Sequence, residues 1–588
     1  MWRDYLPSWL ARTAAAESPT AGIDVLTRGE GILGGSGCCG DGAVGTVPVE
    51  QIAPCATLHP RAAGKRIERL GERVYCAVGY ALSNVTMIAV EGGKVIVDAT
   101  ESCQAGREIK AAFDRLVPGP VKLIIYTHSH PDHFLGGTAF YSPGVPVWGH
   151  ANFLEEMRSQ VGTLSRMLYD RASRQYGSSL PELQRTVTGI GPALRLDGVI
   201  PPLLFPSETF RDTRRLNVGG LDIELVEAPG ETRDHLFVHI PELRTVVAGD
   251  NVYRAFPNLY SVRGVAPRPV REWSESIDRI RWLEPEYVAL GHTEPLRGRE
   301  QVHEVLTAYR DAISHLHSSV VRFMNQGLSP DEMLPLVRLP EHLRDHPYLE
   351  QSYGCLEWGV RGIYEGYLGW FDGNATNLHP LSPPQYAERM IALAGGADKM
   401  EQAVMGALRM RDWQWAAQLC DILRAQGSAD PRIGQWKAEA LEHLAAATKQ
   451  PVARNYYLSS AAELRGTGQQ IRRAAIGGQT LRYMPLDLVV QSIVMQLRAD
   501  TTANMTLRIG FDIPDAKRCY TLYIRRGVGE VRPDILDKPD FVITANEADF
   551  KSMLSGMLPA AHAIVRGAVK CSGGLAKLRL LRSIMHPA

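Results

Sequence analysis

An α/β unit followed by an α-helical region and then an α+β region is the fold class this 588-residue chain predicts. Three observations predict it. Before residue 300, short apolar, β-branched runs each end in a loop that carries histidine or aspartate; beyond Arg299 apolar residues recur at helical spacing; past Asn455 strand-like alternation returns.

The first run, Val121-Lys122-Leu123-Ile124-Ile125-Tyr126, reads as a short buried strand, and Thr127-His128-Ser129-His130-Pro131-Asp132-His133 emerges on the loop at its C-terminal end. His128 and His130 stand two apart, so both can face one side of an extended segment, whereas Asp132 and His133 point elsewhere and can serve a second ion. The plainer alternative is a loop that caps a helix, with Asp132 as its N-cap. Three later runs argue against that. A strand-like Leu221-Asp222-Ile223-Glu224-Leu225-Val226 leads to Pro229-Gly230-Glu231-Thr232-Arg233-Asp234-His235; Val246-Val247-Ala248-Gly249-Asp250 and Tyr287-Val288-Ala289-Leu290-Gly291-His292 repeat the pattern. Alone, His235 or His292 reads as an ordinary structural histidine. With the first cluster they make a set spaced for two divalent cations. Imidazole and carboxylate without thiolate suit zinc, two ions per chain, and the oxygen-rich second position also suits manganese or iron. Two such ions about 3.5 to 4 Å apart activate water near neutral pH, so the chemistry predicted is hydrolysis.

In the helical region Val302, Val305, Leu306, Tyr309, Ile313 and Leu316 form an i, i+3, i+4 stripe, and Ser329 and Pro330 read as the N-cap and first position of a further helix. From Tyr386 to Leu444 the pattern predicts helical hairpins, including Trp413-Gln414-Trp415-Ala416-Ala417, resembling a single tetratricopeptide-type pair. Later, Met484-Pro485-Leu486-Asp487-Leu488-Val489-Val490 reads as a helix start. Met505, Leu507, Ile509 and Phe511 alternate on one strand face; Tyr520, Leu522 and Ile524 on another; Phe541-Val542-Ile543-Thr544 makes a strand and Ala548 to Leu554 a helix.

Composition narrows the partners. Lys plus Arg equals Asp plus Glu at 64 each, so no global field favours nucleic acid or an acidic membrane. No apolar run is long enough to predict a spanning helix. Nine cysteines, an odd number without paired spacing, argue against a disulfide scaffold. Together with an N-terminus that carries Asp4 and makes a poor secretory signal, they predict a cytoplasmic protein, with the periplasm or secretion as the alternative. The glycine-, serine- and proline-rich stretch around 31–60 predicts a loop-like arm.

The ordered set from His128 to His292 resembles the metallo-β-lactamase fold, a sandwich of two mixed sheets with outer helices (αββα) and a metal site along one edge. Glu72-Arg73-Val74-Tyr75-Cys76-Ala77-Val78-Gly79-Tyr80-Ala81-Leu82-Ser83-Asn84 is similar to the opening strands of one branch, the alkyl sulfatases. Pro257-Asn258-Leu259-Tyr260-Ser261-Val262-Arg263-Gly264, His346-Pro347-Tyr348-Leu349, Tyr353-Gly354-Cys355-Leu356-Glu357-Trp358 and the stretch from Gly366 to Asn374 resemble later segments of it. That resemblance implies one ion on His128, His130 and His235, another on Asp132, His133 and His292, and Asp250 bridging. It implies that Asp132 and Asp250 position the metal-activated water, and that Asn258 and Arg263 bind the sulfate, the planar fork of the arginine engaging two oxygens. This chain carries His235 and Asp250 where those enzymes usually have glutamates, and Pro257 where they have a histidine.

Four segments follow: an arm (1–65), a catalytic sandwich (66–300), a helical dimerisation domain (301–450) and a C-terminal domain (451–588) similar to sterol carriers. The activity implied is hydrolysis of alkyl sulfates, anionic amphiphiles, by a homodimer. A carboxylic ester, lactone or phosphoester is the alternative substrate, and a lipid carrier with a structural metal domain the alternative of another class.

Overall fold

A computed structural model describes residues 64–158, 165–185, 187–192, 194, 202–467 and 481–585. Apart from Gly64 and Lys65, the expected arm lies outside them.

The strands β1 (Arg66–Leu70), β2 (Val74–Val78), β3 (Val85–Val90), β4 (Gly93–Val97), β5 (Val121–Ile125), β6 (Val147–His150) and β7 (Glu208–Phe210) form one sheet in that order. The first four are antiparallel neighbours; from β4 onward the pairs are parallel. A parallel pair needs a crossover. Between β4 and β5 the helix Cys103–Leu116 supplies it, started by Ser102, whose hydroxyl accepts the amides of Gln104 and Ala105. The strands β8 (Thr213–Val218), β9 (Leu221–Glu227), β10 (Leu236–Ile240), β11 (Thr245–Val247), β12 (Tyr287–Ala289) and β13 (Leu296–Arg297) form the second sheet in sequential order, only β11 and β12 running parallel.

Side-chain alternation makes these sheets a sandwich. Val95, Val97, Leu123 and Ile125 of the first sheet share a core with Ile223, Leu225, Val238 and Ala289 of the second. Ile96 and Ile124 point the other way, onto Ile109 and Phe113 of the crossover helix. On the far side, Phe237, Val246 and Val288 pack with Trp273 and Ile277 of helix Val270–Trp282 and with Val305, Tyr309 and Ile313 of helix Arg299–Met324. The layers are therefore helix, sheet, sheet, helix, as the resemblance implied. Burial on both faces explains why the β5 run is apolar almost without interruption.

Every residue of the stripe from Val302 to Leu316 is buried in helix Arg299–Met324. Ser329 and Glu332 form a reciprocal capping box ahead of helix Pro330–Met333. The helices Pro383–Leu393, Ala397–Arg409, Trp413–Ala425, Pro431–Ala447 and Pro451–Arg465 follow, the first four sharing a core that includes Ile391, Val404, Leu408, Leu423 and Ile433. In the C-terminal region β14 (Thr506–Ile513), β15 (Arg518–Arg525), β16 (Val528–Pro533), β17 (Phe541–Ala545) and β18 (Val569–Cys571) form a sheet ordered β16-β15-β14-β17-β18. Its core joins Ile509, Phe511, Leu522, Ile524 and Ile543 to Leu486, Val490 and Ile493 of helix Leu486–Met495. From the same helix Val489, with Met484 just ahead of it, enters the outer core of the sandwich beside Phe134. Among the described residues no helix is long and apolar enough to cross a membrane.

Candidate metal centre

The loops that leave β5, β9, β11 and β12 meet where the two sheets are tied by a backbone hydrogen bond from the Leu236 amide to the Thr127 carbonyl, 2.8 Å. There, among the described residues, His128, His130 and Asp250 form one group able to hold an ion and Asp132, His133 and His292 another, the ligand atoms of each group lying within 4.8 Å of one another. Asp250 stands between them. Its carboxylate is 3.6 Å from His128 Nε2, 3.3 Å from His133 Nε2 and 3.2 Å from His292 Nε2. Asp132, the most exposed member, is 3.6 Å from His133 Nε2 and 3.4 Å from His292 Nε2.

Neighbouring acceptors fix the direction in which three of the rings face. The Nδ1–H of His133 donates to Asp98 at 2.8 Å, that of His292 to the Leu82 carbonyl at 2.9 Å, and that of His128 to Thr127 Oγ1 at 3.0 Å, the threonine hydroxyl itself donating to Asp98. In all three the Nε2 lone pair is turned inward, the arrangement a metal-ligating imidazole needs. Asp98 was not singled out in the sequence, although it closes the β4 run as Asp250 closes β11. Its φ of 62° is left-handed, as are those of Thr100 (60°) and Thr293 (64°), so backbone strain collects around this site. Two glycines permit the close approach. A Cβ on Gly291 would lie 2.1 Å from Asp250 Oδ1, and one on Gly249 2.8 Å from the His235 ring.

The charges sort the histidines. Burial holds His128 and His130 well below the ordinary histidine range, Arg263 adding to the effect on His130. Burial acts on His133 and His292 in the same sense, but Asp250 and its acidic neighbours overcome it, lifting His133 well above that range and His292 to about 9. Asp250 is held well below the carboxylate range by His133, His292 and His128 against its own burial. Buried polar atoms ordinarily find hydrogen-bond partners. Here His133 Nε2, Asp250 Oδ1 and Glu231 Oε2 have none. Inward-facing imidazole nitrogens and carboxylate oxygens, crowded together without hydrogen-bond partners, fit a pair of zinc ions or related divalent cations.

His235 occupies this neighbourhood differently from the other histidines. Its ring stacks on His128 with centroids 4.7 Å apart, but its Nε2 accepts the amide of Asp250 at 3.0 Å, and burial pushes its pKa down to about 3. It lies outside the two ligand groups, as does Glu231, while its Nδ1 is buried without a hydrogen-bond partner. The carboxylate nearest His130 is instead Glu231, whose Oε1 is 4.0 Å from His130 Nδ1 and 2.9 Å from the buried Arg268. Burial raises its pKa against the pull of Arg268. The signal for Glu231 was present in Pro229-Gly230-Glu231, an acid just past the end of β9.

Of the two expected substrate-binding residues, Arg263 is at the site: its guanidinium donates to His130 Nε2 at 3.1 Å, while Gln175 fixes its backbone amide at 3.0 Å. Asn258 is buried, its amide donating to the Tyr253 hydroxyl at 2.8 Å. The sequence assigned no role at the site to Gln175 or Tyr176, nor to Tyr353 beyond its place in a family-like segment; the two tyrosine hydroxyls are 3.1 Å apart and feel the charge of Arg263.

Residues 78–292 match the Metallo-beta-lactamase superfamily, 329–467 the family described as alkyl sulfatase dimerisation and 474–588 that described as alkyl sulfatase C-terminal. The chain is 32% identical over 512 residues to a linear primary-alkylsulfatase of a Pseudomonas species, covering 84% of this chain and 97% of that protein. It is 26% identical over 534 residues to an (R)-specific secondary-alkylsulfatase, also of a Pseudomonas species, covering 86% and 78%. Among solved structures it is similar to a double mutant of the sec-alkyl sulfatase PisA1, with a TM-score of 0.81 at 25% identity over 89% of this chain and 85% of that one.

Proposed function

Because the chain belongs to the alkylsulfatase family of the metallo-β-lactamase superfamily, we propose that it hydrolyses alkyl sulfate esters to an alcohol and inorganic sulfate with two divalent cations. The observation that carries this reading is Arg263 beside His130, at 3.1 Å: a fixed cationic fork next to a two-ion cluster serves an anionic ester, whereas a structural metal site has no use for it. When bound, the ions would supply a water acidic enough to attack near neutral pH. Asp132 and Asp250 would accept hydrogen bonds from that water and orient it. Arg263 and Asn258 would hold the sulfate oxygens by charge-assisted and neutral hydrogen bonds. Glu231 would take the ligand position expected of His235, since the Nε2 of His235 is occupied by the Asp250 amide.

We propose that the chain divides into segments 1–65, 66–300, 301–450 and 451–588, with two chains meeting through the helical segment and a sterol-carrier-like C-terminal segment that receives the alkyl tail. A cytoplasmic setting is supported by the free thiols of Cys76, Cys103, Cys355, Cys420, Cys519 and Cys571. The test is to offer zinc-loaded protein dodecyl sulfate, a lactone and a phosphodiester. Release of sulfate that stops on chelation and returns with zinc is the expected result. Turnover of the lactone or phosphodiester alone would replace the sulfate reading, and tight binding of dodecyl sulfate without turnover would replace catalysis by carriage.

A further inference from the structure

A turn outside the ligand set grips both halves of the second cluster. Between β2 and β3, Leu82, Ser83 and Asn84 are buried. The Leu82 carbonyl accepts Nδ1–H of His292 at 2.9 Å. The Ser83 hydroxyl donates to the Asp132 carbonyl. Asn84 holds the backbone around His292, its amide donating to the Gly291 carbonyl at 2.7 Å and its Nδ2 to the carbonyls of Leu290 at 3.0 Å and Thr293 at 2.8 Å. Behind the turn stands a buried carboxylate, Glu101, whose two oxygens take the Leu82 amide at 3.0 and 3.2 Å while the Thr100 hydroxyl donates to Oε2 at 2.7 Å. Among the described residues, no hydrogen bond joins this turn to His128 or His130, whose rings are set by Thr127, Arg263 and each other.

We propose that the turn at 82–84, braced by Glu101, is a positioning device for the second ion alone, setting Asp132 and His292 at the spacing that ion requires. The physical reason is geometric. Asp132 and His292 arrive on different sheets, and nothing in β5 or β12 fixes the gap between them. A single rigid turn that touches the backbone of one and the ring of the other does. Without Glu101, the Leu82 amide would be left unpaired in the interior, a loss the turn would relieve by moving. The carbonyl that orients His292 would move with it.

The inference rests on the two-ion reading above, and the two are tested apart. Full-length Glu101→Ala, Glu101→Gln and Ser83→Ala proteins are titrated with cobalt and zinc, and stepwise affinities are read from bound-ion counts and from the cobalt absorption bands. The unaltered chain takes up two ions. Glu101→Ala keeps the first affinity and loses about 10- to 100-fold in the second, the usual effect of removing a group that orients a ligand. Glu101→Gln, which keeps an acceptor for the Leu82 amide, recovers most of that loss. Ser83→Ala removes a single hydroxyl and weakens the second step in the same direction; if Glu101→Ala does not fold, this variant decides. Second-step affinities equal to those of the unaltered chain, or equal losses at both steps, overturn the positioning role. A single ion on the unaltered chain overturns the two-ion reading instead.

Discussion

Arg263 donates to His130 Nε2 across 3.1 Å, yet the other members of both ligand groups are placed by different partners: Asp98 for His133, Leu82 for His292, Thr127 for His128. Its removal should therefore spare the ions and cost the reaction. Arg263→Ala is expected to lower sulfate-ester turnover by about 10²- to 10³-fold, the scale of losing one preorganised donor, with bound metal unchanged by elemental analysis. Protons give a second test at the same scale. His292 is lifted to about 9 and His133 well above the ordinary value, because Asp250 and its neighbours outweigh burial. In the metal-free protein both rings are charged at neutral pH, so an ion entering that cluster must displace their protons. Its affinity rises with pH from neutral through the His292 value of about 9. His128 and His130, lowered by burial, are already neutral, and their ion meets no such competition from the rings. Calorimetric zinc titrations between neutral pH and pH 9 check this; a second step that does not respond to pH would refute it. A third test separates Glu231 from His235. Glu231→Gln should weaken ion binding about 10-fold or more, whereas His235→Gln should change it little, because the His235 Nε2 faces the Asp250 amide rather than the cluster. This pair also marks where residue-level reading of the sequence ran out. The pattern of an apolar run followed by a ligand points to this loop but does not tell Glu231 from His235, and ligand chemistry by itself favours histidine over glutamate as a zinc donor.

Helix Leu356–Leu368 shows how one element can serve two surfaces. Gly359, Val360, Ile363 and Tyr364 are buried, and a Cβ on Gly359 would come within 2.8 Å of Leu316 on the neighbouring helix, so the contact requires glycine there. The last turn and the residues beyond it are different: Tyr367, Leu368 and Trp370 are 59%, 54% and 72% exposed. The aromatic stretch from Tyr364 to Phe371 thus divides between the region's core and its surface, because composition does not encode where the covering helices stop. An exposed apolar run of this kind is suited to a binding surface, and it lies in the segment that matches the alkyl sulfatase dimerisation family. Burying each ring is worth about 1.5 to 3 kcal/mol. Substituting both, as Tyr367→Ala with Trp370→Ala, should shift a dimer toward monomer by about 10²-fold or more in dissociation constant, measured by light scattering across a dilution series. Mass that stays dimeric at every dilution would place the interface elsewhere.

At the scale of the molecule, the layers were legible because each reports its burial directly in residue type: two-sided burial in β5, one-sided alternation in β9, the helical stripe after Arg299. The joints between regions were not, since they depend on single residues such as Val489, which leaves its own region's core to pack beside Phe134 of the sandwich. Those joints and the metal centre make opposite demands on thermal unfolding. The ligand loops come from both sheets of the sandwich, so bound ions tie the two together and stabilise only the state in which both are folded. At an ion concentration about 100 times the dissociation constant, each ion adds about 2.7 kcal/mol. The C-terminal sheet has a separate core, built on Ile509, Phe511, Leu522, Ile524 and Ile543, and no share in the ligands. Chelation of both ions should therefore lower the sandwich transition by about 10 to 20 °C, taking about 2 to 4 °C per kcal/mol for a region of this size, and leave the C-terminal transition where it was. Scanning calorimetry with and without chelator separates the cases. If every transition moves together, the Val489 contact couples the regions more strongly than the two cores hold them apart; if none moves, the sandwich does not depend on metal.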